Sequence, residues 1–242
     1  MNRYFLAPDS WQSETLALTG DEARHCARVM RAQVGDKIEV FDGAGRSAVC
    51  TILSVQRDLI SAEVEQESTT LTPSQPVTLC QSIPKGGNME LIIQKSVELG
   101  VNAIQPLITA RTVARPDSLP KKREKWQRIA LEACKQCGQN HLPEIAEPVS
   151  FSNWINELEI FDSPLIAALD ESAVHLKKQL ENAPFSGSIG LLIGPEGDFT
   201  PEEYEQAYDA GFHPISFGNI VMRVETATLY GLSVIQHELS AH

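Results

Sequence analysis

The sequence predicts an α/β fold in which a small all-β domain precedes a larger domain built on a mostly parallel sheet. Three observations carry this prediction. The first seventy residues break into short alternating segments separated by turns. From residue 76 onward, strand-like apolar runs alternate with amphipathic helical ones. Two later runs, PLIAALD (164–170) and SIGLLIG (188–194), are almost continuously apolar, the pattern of strands buried on both faces.

In the first part, KIEVFDG (37–43) and SAVCTILSV (47–55) flank Gly43-Ala44-Gly45-Arg46, a hairpin signal, and LISAEVEQ (59–66) has the period of a further strand. The segment DEARHCARVMRA (21–32) reads as a helix with Ala23, Cys26, Ala27 and Met30 on one face and Arg24, Arg28 and Arg31 on another. ESTTLTPSQP (67–76) is polar, aperiodic and carries two prolines, so the boundary falls there, between a domain at 1–70 and one at 74–242.

Beyond it, PVTLCQSI (76–83) is a strand, NMELIIQKSVELG (88–100) a helix closed by Gly100, and NAIQPLIT (102–109) the next strand. Pro120 begins a helix with the apolar stripe Trp126, Ile129, Ala130, Ala133, Cys134 and Cys137, and with Lys121, Lys125 and Arg128 on its other face. Thr200 and Pro201 are a cap and first-turn signal for a helix ending near Gly211. HPISFG (213–218) is a last strand and VETATLYGLSVIQHEL (224–239) a last helix.

Hydrophobic residues make up 42% of the chain and charged ones 21%, the balance of an ordinary soluble globular protein. MNRYFLAPDSW interrupts its apolar run at Pro8 and Asp9, so it does not read as an export signal, and no run approaches a membrane span; a cytoplasmic protein is expected. Five irregularly spaced cysteines do not form a disulfide framework, and reduced thiols are expected. The net charge of −12 argues against a nucleic-acid partner until it is divided: residues 1–84 carry −4, 85–128 carry +5 and 129–242 carry −13. The basic stretch is able to dock an anionic polymer, and equally reads as a solvated helix face.

LLIGPEGDFTPEE (191–203) has the shape of a strand end, a glycine-bracketed turn and a helix start. Such turns at the carboxyl edge of a sheet commonly cradle phosphate on backbone N–H groups, yet this one carries Glu196, Asp198, Glu202 and Glu203. The chain has neither GxxxxGK[ST] nor GxGxxG. FGNIVMRVETAT (217–228) repeats the arrangement with Gly218, Arg223, Glu225 and Thr226, and the two turns are expected side by side as one pocket. Acidic side chains and backbone amides suit a ligand with a positive charge, hydroxyls and a purine edge, which describes S-adenosylmethionine. The plain alternative is a strand-to-helix connection whose glycines serve only backbone geometry. Cys134 and Cys137 form a CxxC with His141 following, but no second ligand pair exists and both cysteines fall on the apolar stripe, so no metal is expected. His25 lies among arginines, which makes a binding role more natural than a catalytic one; it is otherwise a helix-surface residue.

These segments, with HCARVMRAQVGDKIEVFDGAGR (25–46), QSIPKGGNMELIIQKSVELGV (81–101) and EACKQCGQNHLPEI (132–145), resemble the bacterial ribosomal small-subunit RNA methyltransferase E family. That family, of the SPOUT class, methylates uridine N3 in 16S rRNA. The resemblance implies a PUA-like β-barrel over 1–70 and a C-terminal domain knotted as a deep trefoil, with the knot and cofactor pocket at about 166–242. It further implies S-adenosylmethionine bound by Leu169, Ile193, Gly194, Pro195, Glu196, Gly197, Phe217, Gly218, Ile220, Met222, Thr226 and Ala227. A homodimer is implied as well, acting on 16S rRNA in the assembled small subunit. RNA contacts are expected from Arg3, Arg24, His25, Arg28, Arg31, Arg46, Lys85, Lys121, Lys122 and Arg128. Two positions depart from the family pattern: Asp198 where Gly is usual, a residue that tolerates a left-handed backbone, and Gln139 where Arg is common.

The N3 proton of uridine must leave before nitrogen attacks a methyl group. A carboxylate can take it while a guanidinium stabilises charge on the flanking carbonyl oxygens. Arg223, with Glu225 or Glu196 as base, fits these roles; Glu225 is alternatively a helix-terminus carboxylate only. A non-catalytic RNA-binding assembly factor with a vestigial pocket is the competing function.

Overall fold

A computed structural model describes residues 1–11, 14–113, 119–159, 161–170 and 172–240. The chain forms two compact units, Met1–Thr72 with Leu131–Leu142, and Pro73–Ala130 with Pro143–His242.

The first unit is a curled five-stranded sheet. Its strands are β1 (Asn2–Phe5), β2 (Thr15–Thr19), β3 (Lys37–Phe41), β4 (Arg46–Val55) and β5 (Leu59–Thr69), in the order β1-β3-β4-β5-β2. Pairing is antiparallel except between β1 and β3. Alternate residues point inward, so Tyr4, Leu16, Leu18, Ile38, Val40 and Ile52 form one buried cluster. β5 runs three residues into the expected linker because the long β4 offers partners there, with Arg46 opposite Thr69 and Ala48 opposite Glu67.

The expected helix at 21–32 is shorter and changes pitch. α1 (Gly20–Arg24) continues as a π-helical turn over His25–Val29, where Met30 N–H donates to the His25 carbonyl at 3.0 Å. The wider turn moves later residues off the 3.6-residue stripe. Ala23 and Cys26 are therefore buried, while Met30 of the same expected face is exposed.

Residues 131–142 group with this unit although they lie well past the expected linker. Lys135 is the reason on one side: it pairs with Glu22 and, at 2.9 Å, with Glu132, its own side chain only 11% exposed. Burial alone would lower the Lys135 pKa, but its hydrogen bonds to Glu22 and Glu132 outweigh that and hold it above the ordinary 10.5. A pKa raised by folding adds stability that is complete below the unfolded value and fades as pH rises through the folded one. The melting temperature lost in Lys135→Met is accordingly expected to be constant from pH 7 to 9 and to shrink above about pH 10.5. A deficit that stays constant to pH 11.5 would contradict it.

The second unit is an α/β layer structure containing β6 (Val77–Ser82), α2 (Asn88–Glu98), β7 (Ala103–Ile108) and the first part of α3 (Leu119–Cys137). Then come β8 (Glu144–Ile145), β9 (Val149–Ser150), α4 (Phe151–Glu157), β10 (Ser163–Ala167), β11 (Val174–His175) and α5 (Leu176–Asn182). β12 (Ile189–Ile193), α6 (Pro201–Asp209), β13 (His213–Ser216) and α7 (Val224–Leu239) complete it. The sheet is parallel throughout and ordered β11-β13-β10-β12-β6-β7-β8, with β9 also on β7. All five residues of β12 are buried, as its unbroken apolar run predicts. On one face, Phe151, Trp154, Phe199 and Phe212 build a core with Cys80, Ile166 and Leu192. α7 lies close on β12 at Gly231, where an added Cβ would sit 3.0 Å from both Leu191 and Phe217; glycine is what permits the approach.

Candidate active site

The carboxyl edge of the parallel sheet gathers three loops. β10 lies between β12 and β13 in the sheet. The turns after β12 and β13 are therefore not immediate neighbours as expected: the carboxyl end of β10, which leads to Leu169 and Asp170, stands between them. Strand order caused the error, since successive strands in sequence need not be adjacent in a crossover sheet.

The turn after β12 is closed by Asp198 N–H donating to the Pro195 carbonyl at 2.9 Å. Asp198 has φ of 63°, the left-handed conformation that normally favours glycine. Its carboxylate offsets this locally by accepting from Phe199 N–H at 2.9 Å and from the Tyr204 hydroxyl at 2.8 Å. The turn thus keeps its shape without glycine. Arg111, from the loop after β7, donates to the carbonyls of Gly197 and, at 3.2 Å, of Phe199. Thr200 and Glu203 form a reciprocal capping box on α6, and buried Glu203 also accepts Ala110 N–H at 2.8 Å.

The loop between β6 and α2 joins the two turns that carry candidate carboxylates. Lys85 N–H donates to Glu196 Oε1 at 2.8 Å, and the Asn88 amide lies 3.4 Å from Glu225 Oε2. Asn88 begins α2 and Glu225 lies in the first turn of α7, so two helix amino ends face one carboxylate, whose charge suits both dipoles. Arg223 is the exposed residue before α7 and makes no side-chain cap. Below them, buried Thr228 donates to buried Gln81 Oε1 at 2.7 Å and fixes α7 against the end of β6.

The edge also presents apolar side chains to solvent: Leu169 at 65%, Ile220 at 78% and Val221 at 73% exposure. Large aliphatic groups left open on these turns suit a flat, partly apolar ligand that covers them. Ile193 and Pro195 are buried, whereas Glu196, Gly197, Gly218 and Thr226 are exposed on the same edge. The turn acids are mostly engaged by N–H and O–H donors, so they contribute negative potential more than open ligating atoms. This arrangement fits the S-adenosylmethionine chemistry expected of the turns. A separate cleft lined by Thr78, Cys80, Gln105, Trp154 and Phe161 lies against mid-strand residues and contains none of the candidate residues.

Among the expected RNA contacts, Arg3 is corrected. Its side chain is 6% exposed, donating to the Cys134 carbonyl at 2.9 Å and to Asn140 Oδ1 at 2.5 Å. Its Nε lies 3.3 Å from Glu39 but off a hydrogen-bonding line, and the guanidinium stacks 4.6 Å from the Phe41 ring centre. These contacts hold it as a structural cation within the first unit. Arg46 is paired with Glu67 at 2.8 Å and stacked on Trp11, and Arg24 is paired with Asp21 at 2.5 Å. His25, Arg28 and Arg31 are exposed in the first unit, and Lys85, Lys121 and Arg128 in the second; Lys122 is half-buried there. Cys137 is also corrected: it is exposed rather than part of the helix stripe, while Cys134 is buried and burial pushes its thiol up to about 12. The exit of α3 explains this, since Gly138 takes a left-handed φ of 88° immediately afterward.

Residues 72–236 match the family model described as RNA methyltransferase domain, and residues 18–65 match that of the RNA methyltransferase PUA domain. A ribosomal RNA small subunit methyltransferase E from Bacillus subtilis is 34% identical, over 98% of this chain and 97% of its own length. The protein of the same name from Synechocystis is 33% identical over 96% of this chain and 76% of its own. A crystal structure of a Neisseria gonorrhoeae ribosomal RNA small subunit methyltransferase E bound to S-adenosylmethionine aligns with TM-score 0.87 at 31% identity, covering 98% and 97% of the two chains. Fold and carboxyl-edge site therefore define an RNA methyltransferase with a PUA domain. Within that class, the chain belongs to the ribosomal RNA small subunit methyltransferase E family.

Asn88, Gln81, Arg111, Tyr204, Tyr208 and Asp170 also shape this edge and were not anticipated. QSIPKGGNMEL and PLIAALD carried a signal for Gln81, Asn88 and Asp170, through their place at strand ends.

Proposed function

We propose that the protein transfers a methyl group from S-adenosylmethionine to N3 of a specific uridine in 16S rRNA. The observation that carries the reading is that Glu196, after β12, and Glu225, beside Arg223 at the start of α7, are both tied to the β6–α2 loop by Lys85 and Asn88, on the sheet edge where Leu169 and Ile220 stand open. The names and bound cofactor of the family's members support it.

Bound S-adenosylmethionine supplies an electrophilic methyl group. Glu225 takes the N3 proton. Its contact to Asn88 is long at 3.4 Å and orients the carboxylate without saturating it, whereas Glu196 is committed to Lys85 N–H at 2.8 Å and acts as a loop clamp. Arg223 stabilises the negative charge that spreads onto the uracil carbonyl oxygens. Gly194, Pro195, Gly197, Phe217, Gly218, Met222, Thr226 and Ala227, with Leu169, Ile193 and Ile220, line the cofactor. The acceptor uridine is presented unpaired or flipped out. Phosphate contacts come from Arg24, His25, Arg28, Arg31, Arg46, Lys85, Lys121, Lys122 and Arg128.

The same reading divides the chain at about 70–74 into a PUA-like domain and a SPOUT domain with a trefoil knot. It takes the working species to be a cytoplasmic homodimer acting on the assembled small subunit. Mass spectrometry of digested 16S rRNA tests it directly: a strain lacking the gene is expected to lose 3-methyluridine and regain it on complementation. Undiminished 3-methyluridine in the deletion strain would leave a non-catalytic RNA-binding role instead.

A further inference from the structure

Helix α6 carries two phenols four residues apart, and each hydrogen-bonds an aspartate in a different carboxyl-edge turn. Tyr204 donates to Asp198 Oδ1 at 2.8 Å in the turn after β12, and Tyr208 donates to Asp170 Oδ2 at 2.6 Å in the turn after β10. Residues at this spacing share a helix face, and here the rings lie 5.7 Å apart, tilted by 33°. Phe199 meets Tyr204 edge-on at 5.4 Å.

The helix is a fixed reference for both turns. Its amino end is locked by the Thr200–Glu203 capping box, and Glu203 is held in turn by Ala110 N–H. Asp170 is itself anchored, accepting the Ser172 N–H at 2.7 Å and the Ser172 hydroxyl. Asp198 occupies a left-handed position that glycine would fill with less strain, so its carboxylate is what distinguishes this turn. Burial, with Asp198 beside it, raises the Tyr204 pKa, and burial with Asp170 pushes Tyr208 up to about 12, so both phenols stay donors across the neutral range.

We propose that Tyr204 and Tyr208 are positioning residues that set the separation of the two turns bearing Leu169 and Gly194 to Gly197, and so control affinity for S-adenosylmethionine rather than the rate of methyl transfer. The inference rests on the proposed function, because it needs those turns to hold that cofactor. Asp198 and Asp170 are the anchor points, and α6 is the strut between them.

Isothermal titration of the full-length protein with S-adenosylmethionine tests this, alongside methylation rates on 16S rRNA at saturating cofactor. Tyr204→Phe and Tyr208→Phe are each expected to weaken cofactor binding about three- to tenfold, the usual value of one lost hydrogen bond, and the double variant further. The rate at saturating cofactor should stay within about twofold. Asp198→Gly relieves the backbone but removes the acceptor, so it should reproduce the Tyr204→Phe loss; Asp198→Asn keeps an acceptor oxygen and should restore most of the affinity. Wild-type affinity in both the double variant and Asp198→Gly, or a lowered rate with unchanged affinity, would overturn the latch while leaving the methyltransferase reading intact. Absence of binding to the unaltered protein would instead overturn the proposed function, and the latch with it.

Discussion

Arg223→Ala is expected to slow methyl transfer by about 10²–10³-fold, the usual consequence of removing a donor aimed at developing charge. Cofactor affinity should stay within a few-fold of the unaltered protein. The side chain is exposed and caps nothing at the start of α7, so the fold loses no partner and the melting temperature should not move. Glu225→Gln should cost a comparable factor of about 10²–10⁴. Its amide is isosteric and can still meet Asn88, so the defect would be chemical rather than structural. The two variants should separate by pH. Uracil sheds its own N3 proton in alkali, so the Glu225→Gln deficit ought to narrow as pH rises, while loss of Arg223 is felt by the anion at every pH. Single-turnover rates across pH 6–10 decide the matter. A Glu225→Gln deficit independent of pH would move the base to another group, and a normal rate in Arg223→Ala would remove its electrostatic role.

The strands were legible because their period is local. SIGLLIG needs no knowledge of its neighbours to read as a buried parallel strand, and β12 is buried at all five positions. The start of α6 was equally readable, since Thr200, Pro201 and Glu203 are a cap written within four residues. Quantities that depend on pairing were not readable. β5 extends past Glu67 only because β4 is there to receive it, and β10 separates β12 from β13 by topology rather than by composition. Around β10, whose apolar run was readable, β8, β9, α4, β11 and α5 are two- to seven-residue elements too short for periodicity to register. The same division runs through the site. Arg223 and Glu225 follow from the strand-to-helix turn that carries them, but Asn88 reaches Glu225 across 137 positions and Arg111 reaches Gly197 across 86. The surroundings of Arg3 were least legible: nothing near it in sequence separates it from arginines that face water, because its partners Cys134 and Asn140 are more than 130 residues away.

Arg3→Met should therefore act on stability and not on RNA. The methionine fills much of the apolar stem but leaves Asn140 Oδ1 without its donor, the Cys134 carbonyl with only the Gly138 N–H at 3.1 Å and Glu39 without its cation, beneath a Phe41 ring that loses its stacked guanidinium. Removing one member of a buried charged pair costs about 3–5 kcal/mol; Glu39 is 27% exposed and can rehydrate, which favours the lower end. Arg3→Lys should recover little, because a single ammonium cannot donate to two acceptors in the planar fork that Arg3 uses. Denaturant titration followed by Trp11 fluorescence is suited to the measurement, since Trp11 is buried in the core of the same unit. RNA binding at a temperature where the variant remains folded gives the contrasting readout. A phosphate-contacting arginine lowers the slope of log affinity against log salt by about one when removed, as expected for exposed Arg28 and Arg31. Arg3→Met should leave that slope unchanged. A reduced slope with unaltered stability would return Arg3 to the RNA interface, and would require its side chain to leave the Cys134 and Asn140 contacts on binding.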